Sequence, residues 1–181
     1  MLRRTAVIYE VCGFLFVVAV GTLLHFVYQW SGNSVIVAAA APVNESTWEH
    51  LKMLYLPFLV YAVFEYYRVG KNYPRYWFGK AAGASAGIGT ILILFYTYTG
   101  ILGTNYLILD ILTFLAGVIV ACRLSWNLFR DEREHEGYVT LSLVVLLAWL
   151  LAFIVFTYVP PKIQLFQDPI TGSFGVLDRY R

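Results

Sequence analysis

Acidic and histidine side chains lie next to long apolar runs at a few points of this sequence. One short segment carries Glu45, Glu49 and His50, while His25 ends the apolar run before it and Asp110 lies inside a later one. Imidazole and carboxylate groups bind divalent transition metals, and they also form general acid/base pairs. These residue types therefore predict either a metal-binding site or a catalytic pair, provided that the fold brings them together.

The spacing within the short segment supports a shared site and also a simpler structural role. Glu45 and Glu49 are four residues apart, so a helix through both would place the two carboxylates on one face. A cation could then meet them together with His25 and Asp110. However, Ser46 followed three residues later by Glu49 is a capping box, and carboxylates in a first helical turn stabilise the helix dipole. Both interpretations stay open from the sequence.

The remaining candidates also have two explanations each. An imidazole such as His25 or His50 can bond a nearby backbone carbonyl, and Asp168 precedes Pro169 in a segment rich in turn formers. Asp110 is the hardest to explain structurally, because a carboxylate inside the hydrocarbon costs about 2.5–3.5 kcal/mol on insertion scales. We therefore expect Asp110 to have a functional role or to form a polar bond that assembly requires.

The elements that must position these groups are apolar and long. The chain has 181 residues, of which 60% are hydrophobic and only 13% are charged, about half the usual charge of a soluble domain. Runs of about 20 apolar residues are long enough to cross a bilayer. The sequence predicts an all-α, polytopic membrane helix bundle over residues 1–160 and a tail over 161–181. The predicted spans are 6–30, 46–68, 78–101, 104–126 and 138–159.

The distribution of basic residues predicts the orientation of this bundle. Nine lysines and arginines fall on one side: Arg3, Arg4, Arg68, Lys71, Arg75, Lys80, Arg123, Arg130 and Arg133. Four fall on the other: Lys52, Lys162, Arg179 and Arg181. The positive-inside rule then places the N-terminus in the cytoplasm and the tail outside. All six candidate ligand residues fall on the outer side, whereas Glu10, Glu65 and Lys80 lie near inner helix ends, where we expect them to pair or snorkel as structural residues.

Small residues and cysteines indicate packing rather than chemistry. Gly79, Gly83 and Gly87 recur at a four-residue interval, which predicts a flat strip for close helix packing. Cys12 and Cys122 form no CxxC pair, so neither a disulfide nor a redox motif is expected. The net charge of +2 is scattered among apolar runs, which excludes a clustered nucleic-acid surface.

Three segments resemble an uncharacterised family of small multi-pass membrane proteins from Firmicutes-type bacteria. They are 25–32, 42–52 with its Asn-Glu-Ser-x-Trp-Glu-His element, and 160–175. The resemblance spans nearly the whole chain and implies a bacterial plasma membrane. It implies no activity, because the family has none assigned.

Three functions are compatible with this pattern. The first is binding or transport of a small polar or cationic ligand, including a metal ion, for which the lack of inverted repeats predicts a homo-oligomer or partner membrane subunit. The second is a membrane-embedded enzyme, with or without a metal, that acts on a lipid or envelope substrate. In the third, an accessory protein, the polar residues only hold helices together. With no strong catalytic motif, whether the chain is an enzyme stays open, and a divalent metal is the one cofactor the ligand types suggest.

Overall fold

A computed structural model describes residues 2–130 and 138–176 of the chain. Within these ranges the fold contains α-helices and no β-strand, which confirms the all-helical prediction. The helices are α1 (Leu2–Trp30), α2 (Thr47–Arg68), α3 (Tyr76–Leu102), α4 (Leu107–Phe129) and α5 (Tyr138–Tyr158). Arg133, Arg179 and Arg181, which entered the charge count, lie outside the described residues.

Four of these helices are long and apolar enough to cross a membrane: Arg4–Trp30, Tyr76–Leu102, Leu107–Phe129 and Tyr138–Tyr158. Most of their apolar residues face outward, since only 17–22% of each apolar segment is buried inside the protein. Exposed aliphatic side chains on every one of these helices suit a lipid environment. The chain is therefore a helical protein of the membrane class.

Helix α2 has the opposite character, because it is the most polar of the five and the most buried. Half of its residues are buried, and these include the charged side chains of Glu49, Lys52 and Glu65. The helix lies antiparallel to α1, with the hydroxyl of Tyr61 donating a hydrogen bond to the carbonyl of Tyr9 at 2.7 Å. A polar helix thus forms the centre of the bundle, with apolar helices packed around it.

The proline inside α2 lies opposite a glycine of α1. Pro57 has no N–H to donate, so the carbonyl of Met53, four residues earlier, loses its helical hydrogen bond. Gly21 of α1 packs against this carbonyl so closely that a Cβ at that position would collide with the oxygen. The absence of a side chain at Gly21 therefore allows α1 to approach α2 at the level of the proline.

Helices α3 and α4 form the closest helix pair, along the strip of Gly79, Gly83 and Gly87. A Cβ on Gly83 would lie 2.5 Å from the carbonyl oxygen of Ala121 and 2.9 Å from the Cβ of Ser125. Such contacts leave no room for a side chain. The strip faces α4 over its whole length.

The link before α2 and the C-terminal tail cover one end of the bundle. In the link, Val37–Ala39 forms a 3₁₀ turn, and the carbonyl of Val35 accepts a hydrogen bond from the Tyr158 hydroxyl at 2.6 Å. In the tail, Phe166 packs against Trp48 with 4.9 Å between ring centroids. We call this the outer end, after the sequence-based prediction that the tail lies outside.

The glycine strip yields a prediction on stability. We expect Gly83→Ala to destabilise the protein by about 1–3 kcal/mol, because the new methyl group meets the backbone of α4. The matched control is Gly89→Ala in the same helix, where a Cβ has no neighbour within 4 Å and helix propensity favours alanine. Thermal unfolding in detergent measures both. Equal melting temperatures for the two variants would contradict this packing.

Candidate functional site

The start of α2 separates the two carboxylates that the sequence placed on one helical face. Ser46 is the N-cap, with an extended backbone, and its hydroxyl accepts a 3.4 Å hydrogen bond from the N–H of Glu49. Glu45 therefore precedes the helix, and its side chain turns away from Glu49. The expected shared face is not formed, because the N-cap conformation changes the chain direction between the two acids.

Glu45 instead lies between two histidines. Its carboxylate oxygens are 3.8 Å from Nε2 of His25, near the end of α1, and 3.4 Å from Nε2 of His50 in α2. One ligand atom from each residue lies within 4.8 Å of the other two. These three side chains, here called the His–Glu–His cluster, are partly exposed at the outer end of the bundle.

The histidine of α2 is oriented by a second hydrogen bond. Nδ1 of His50 lies 3.0 Å from the carbonyl oxygen of Ser46 and can donate to it, while Nε2 faces a carboxylate oxygen of Glu45 at 3.4 Å. Metal-binding histidines typically have such a backbone partner on the other ring nitrogen. Nδ1 of His25 is shielded from solvent and has no hydrogen-bond partner among the described residues.

The size of the cluster suits a small metal ion. Tetrahedral Zn²⁺ with bonds of about 2.0–2.1 Å holds its ligand atoms roughly 3.4 Å apart. The two contacts of Glu45 are already close to this separation, and the histidine rings, whose centroids are 5.2 Å apart, need only a small side-chain movement. Two imidazoles and one carboxylate would leave a fourth coordination position open for water or a ligand.

Glu49, the other carboxylate of the segment, belongs to a separate buried network. Its Oε2 accepts hydrogen bonds from Nζ of Lys52 at 2.7 Å and from the N–H of Val43 at 3.0 Å. Its Oε1 accepts a hydrogen bond from the hydroxyl of Thr157 in α5 at 2.8 Å. Lys52 also donates to the carbonyl of Ala38 at 2.9 Å. Both oxygens of Glu49 are thus occupied in joining α2, α5 and the link.

The two remaining candidates bond to partners outside the cluster: Asp110 to α3 and the loop that follows it, and Asp168 within its own turn. Asp110 lies in the first turn of α4, nearer the helix start than expected, and accepts hydrogen bonds from the Tyr98 hydroxyl and, at 3.1 Å, from the amide of Asn105. Asp168 is buried and accepts from the N–H of Ile170 at 2.9 Å and the hydroxyl of Thr171 at 2.7 Å. The structure thus joins His25, Glu45 and His50, and gives Asp110 and Asp168 partners outside this cluster.

A second cluster of ionisable groups lies at the opposite, inner end of the bundle. Nζ of Lys80 is 2.6 Å from a carboxylate oxygen of Glu10 and 2.6 Å from one of Glu65. Three different helices contribute these side chains, which the sequence assigned to pairing or snorkelling. One signal for their meeting was present in the sequence: each ionisable residue interrupts an apolar run within about one helical turn of its predicted inner end.

Comparison with known proteins adds a family but no activity. A model of the family of unknown function DUF6512 matches residues 3–176, almost the entire chain. No curated protein and no solved structure matches.

The different surroundings of Glu45 and Glu49 lead to a prediction on stability. We expect Glu49→Ala to cost about 3–5 kcal/mol, because it leaves the ammonium of Lys52 buried without a counter-ion. Glu45→Ala is the matched control and should change stability by no more than about 0.5 kcal/mol, since the side chain is 42% exposed. Thermal unfolding of both variants tests this, and a melting temperature for Glu49→Ala as high as that of the control would contradict it.

Proposed function

We propose that this chain, which belongs to the DUF6512 family of unknown function, is a membrane protein that binds a divalent transition metal ion at its outer end. The observation that carries the proposal is the convergence of His25, Glu45 and His50, whose ligand atoms lie within 4.8 Å of one another. The site would serve the capture of a metal ion for binding or transport.

The chemistry of the ligands favours zinc-like ions over calcium or magnesium. Imidazole nitrogen suits Zn²⁺ and its first-row neighbours, whereas Ca²⁺ and Mg²⁺ prefer oxygen ligands only. Three protein ligands with one open position also favour exchange over permanent structural binding. Partial exposure of the cluster gives an ion direct access from the water phase.

Five membrane crossings give this site its outward position. Helix α2 is too polar to be recognised as a span by composition, yet it runs antiparallel to α1 from the level of His25 beside His50 to the level of Tyr9 beside Phe64. Its 22 residues extend about 33 Å, comparable to the hydrocarbon thickness. If α1 crosses the bilayer, α2 therefore crosses it too.

The charge distribution supports a cytoplasmic N-terminus even after a correction. Lys52 and Lys80 are buried in ion pairs, so neither counts as a loop charge. Removing one residue from each side leaves eight basic residues against three in the sequence. Together with the resemblance to small bacterial multi-pass proteins, this supports the bacterial plasma membrane, with the His–Glu–His cluster facing outward. A homo-oligomer or partner membrane subunit would supply the pathway if the protein transports the ion.

A metal-dependent enzyme is the second candidate, and one feature favours it. A cleft beside the cluster is lined by His25, Tyr28, Gln29, Pro42 and neighbouring residues up to Glu45. An ion with an open position can activate a water molecule toward a substrate held in such a cleft. Hydrolysis of a lipid or envelope precursor that stops when the metal is chelated would favour this candidate over simple binding.

The proposed site predicts metal binding that depends on three side chains. Purified protein should bind Zn²⁺, and His25→Ala, Glu45→Ala and His50→Ala should each weaken binding by at least about tenfold, or 1.4 kcal/mol. Binding should also weaken below about pH 6.5, where protons compete for imidazole nitrogen. Chelator competition and metal analysis measure both effects.

The controls for metal binding are the candidates that the structure places elsewhere. Asp110→Asn and Asp168→Asn should leave the Zn²⁺ affinity unchanged, because both carboxylates bond to partners outside the His–Glu–His cluster. Absence of bound metal in the wild type would refute the proposal. Zn²⁺ affinity that resists Glu45→Ala but falls with Asp110→Asn would place the site elsewhere.

Five crossings predict a labelling pattern for introduced cysteines. In a Cys12→Ala, Cys122→Ala background, Ile36→Cys should react with a membrane-impermeant maleimide in intact cells, because residue 36 is exposed in the outer link. Lys71→Cys, exposed between α2 and α3, should react only after lysis. Reaction of both cysteines from the same side would show that α2 does not cross.

A further inference from the structure

The inner cluster of Glu10, Glu65 and Lys80 has an unbalanced charge. Two carboxylates share a single ammonium group, and both ion-pair distances are 2.6 Å. Lys80 is 3% exposed, Glu65 is fully buried and Glu10 is 10% exposed, so water screens the excess negative charge only weakly. Fully ionised, the three groups would carry a net charge of −1 in a medium of low dielectric constant, which is strongly unfavourable.

One oxygen of this cluster has no partner. Oε2 of Glu65 contacts Lys80 and accepts a hydrogen bond from the Tyr76 hydroxyl at 3.0 Å. Oε1 of Glu65 is buried and has no hydrogen-bond partner among the described residues. A buried carboxylate oxygen without a donor is unfavourable, so the cluster lacks the hydrogen bonds that would stabilise two ionised carboxylates.

No second positively charged side chain contacts the cluster among the described residues to balance its charge. The ammonium of Lys80 lies 5.2–5.4 Å from the ring centroids of Phe58, Tyr76 and Phe129, so its other neighbours are aromatic. The titratable groups that face the cluster are Tyr61, Tyr76 and Cys122, all neutral in their ordinary state. The Tyr61 hydroxyl is already engaged with the carbonyl of Tyr9.

A small cavity borders the cluster and is lined by residues of four helices. Glu10 and Gly13 come from α1, Tyr61 from α2, Lys80 from α3 and Cys122 from α4, with Val17 and Phe58 completing the wall. The cavity thus places polar atoms of Glu10 and Lys80 beside a space inside the bundle. This space is large enough for about one water molecule, which would relay a proton to the Glu10 carboxylate.

We propose that the Glu10–Lys80–Glu65 cluster is an intramembrane proton-binding site that holds one exchangeable proton around neutral pH. The proton comes from a hydronium ion, whose O–H bond breaks as a new O–H bond forms on one of the two carboxylates, and a neutral water molecule is left behind. Lys80 stays charged and balances the remaining carboxylate. This site is independent of the proposed metal site, since it lies at the other end of the bundle and uses none of the same residues.

The buried pair of Glu49 and Lys52 provides an internal comparison. There one carboxylate meets one ammonium at 2.7 Å, and further hydrogen bonds from Val43 and Thr157 occupy the carboxylate. That network is balanced in charge, with one carboxylate for one ammonium group. The inner cluster differs from this pair in having a second glutamate and one carboxylate oxygen without a hydrogen-bond partner among the described residues.

Infrared difference spectroscopy of the reconstituted full chain tests the proposal by counting protonated carboxyl groups. Around neutral pH we expect one carboxylic-acid C=O band in the wild type. We expect it to vanish in Glu10→Gln and in Glu65→Gln, because each leaves a one-to-one pair with Lys80. Lys80→Met should instead show two protonated carboxyls, which tests the proposal even if a glutamine variant fails to fold. Glu49→Gln is the matched control and should retain the band.

Several outcomes would overturn this assignment. A wild type without the band around neutral pH would mean that both carboxylates are ionised. A band that persists in both Glu10→Gln and Glu65→Gln would belong to another group. A band that disappears on adding Na⁺ at constant pH, with K⁺ having no effect, would assign the cluster to a metal cation and not to a proton.

Discussion

The structure depends on neutralising the charges of α2 inside the bundle. An unpaired buried ion costs several kcal/mol, so a central helix with Glu49, Lys52 and Glu65 is stable only with bonded partners. At the outer end, Lys52 and Glu49 pair with each other and tie down the link and Thr157 of α5. At the inner end, Glu65 pairs with Lys80 of α3, which also reaches α1. These contacts fix which helices surround α2.

The same constraint explains why the outer end has side chains available for a ligand. Both carboxylate oxygens of Glu49 bond inside the bundle, so Glu49 is not available to a ligand at the surface. Ser46 caps the start of the helix three residues earlier. The cap turns the preceding residue, Glu45, toward His25 and His50. Glu45 and Glu49 thus lie four residues apart but have different roles. Glu45 precedes the helix start and is a candidate ligand, whereas Glu49 lies within the helix and is structural.

Van der Waals packing holds the other helices, because lipid gives apolar helices little hydrophobic reason to associate. The glycine strip lets α3 approach the backbone of α4, and Gly21 lets α1 approach the carbonyl that Pro57 leaves free. Hydrogen bonds add specificity at single points, such as the indole of Trp149 donating to Ser85 at 3.0 Å. Polar contacts therefore select the neighbours of α2, and small residues set how closely the outer helices pack.

The all-helical, membrane character of the chain followed from composition and from the length of the apolar runs, because both report directly on the solvent around each segment. The spacing of Ser46 and Glu49 located the helix start, since capping is local in sequence. The way in which the ionisable side chains group together did not follow from neighbouring residues in the sequence. Glu45 joined the histidines while Glu49 joined Lys52, and Glu10, Glu65 and Lys80 met across three helices. Those contacts depend on how helices rotate and pack, which no single run of residues encodes.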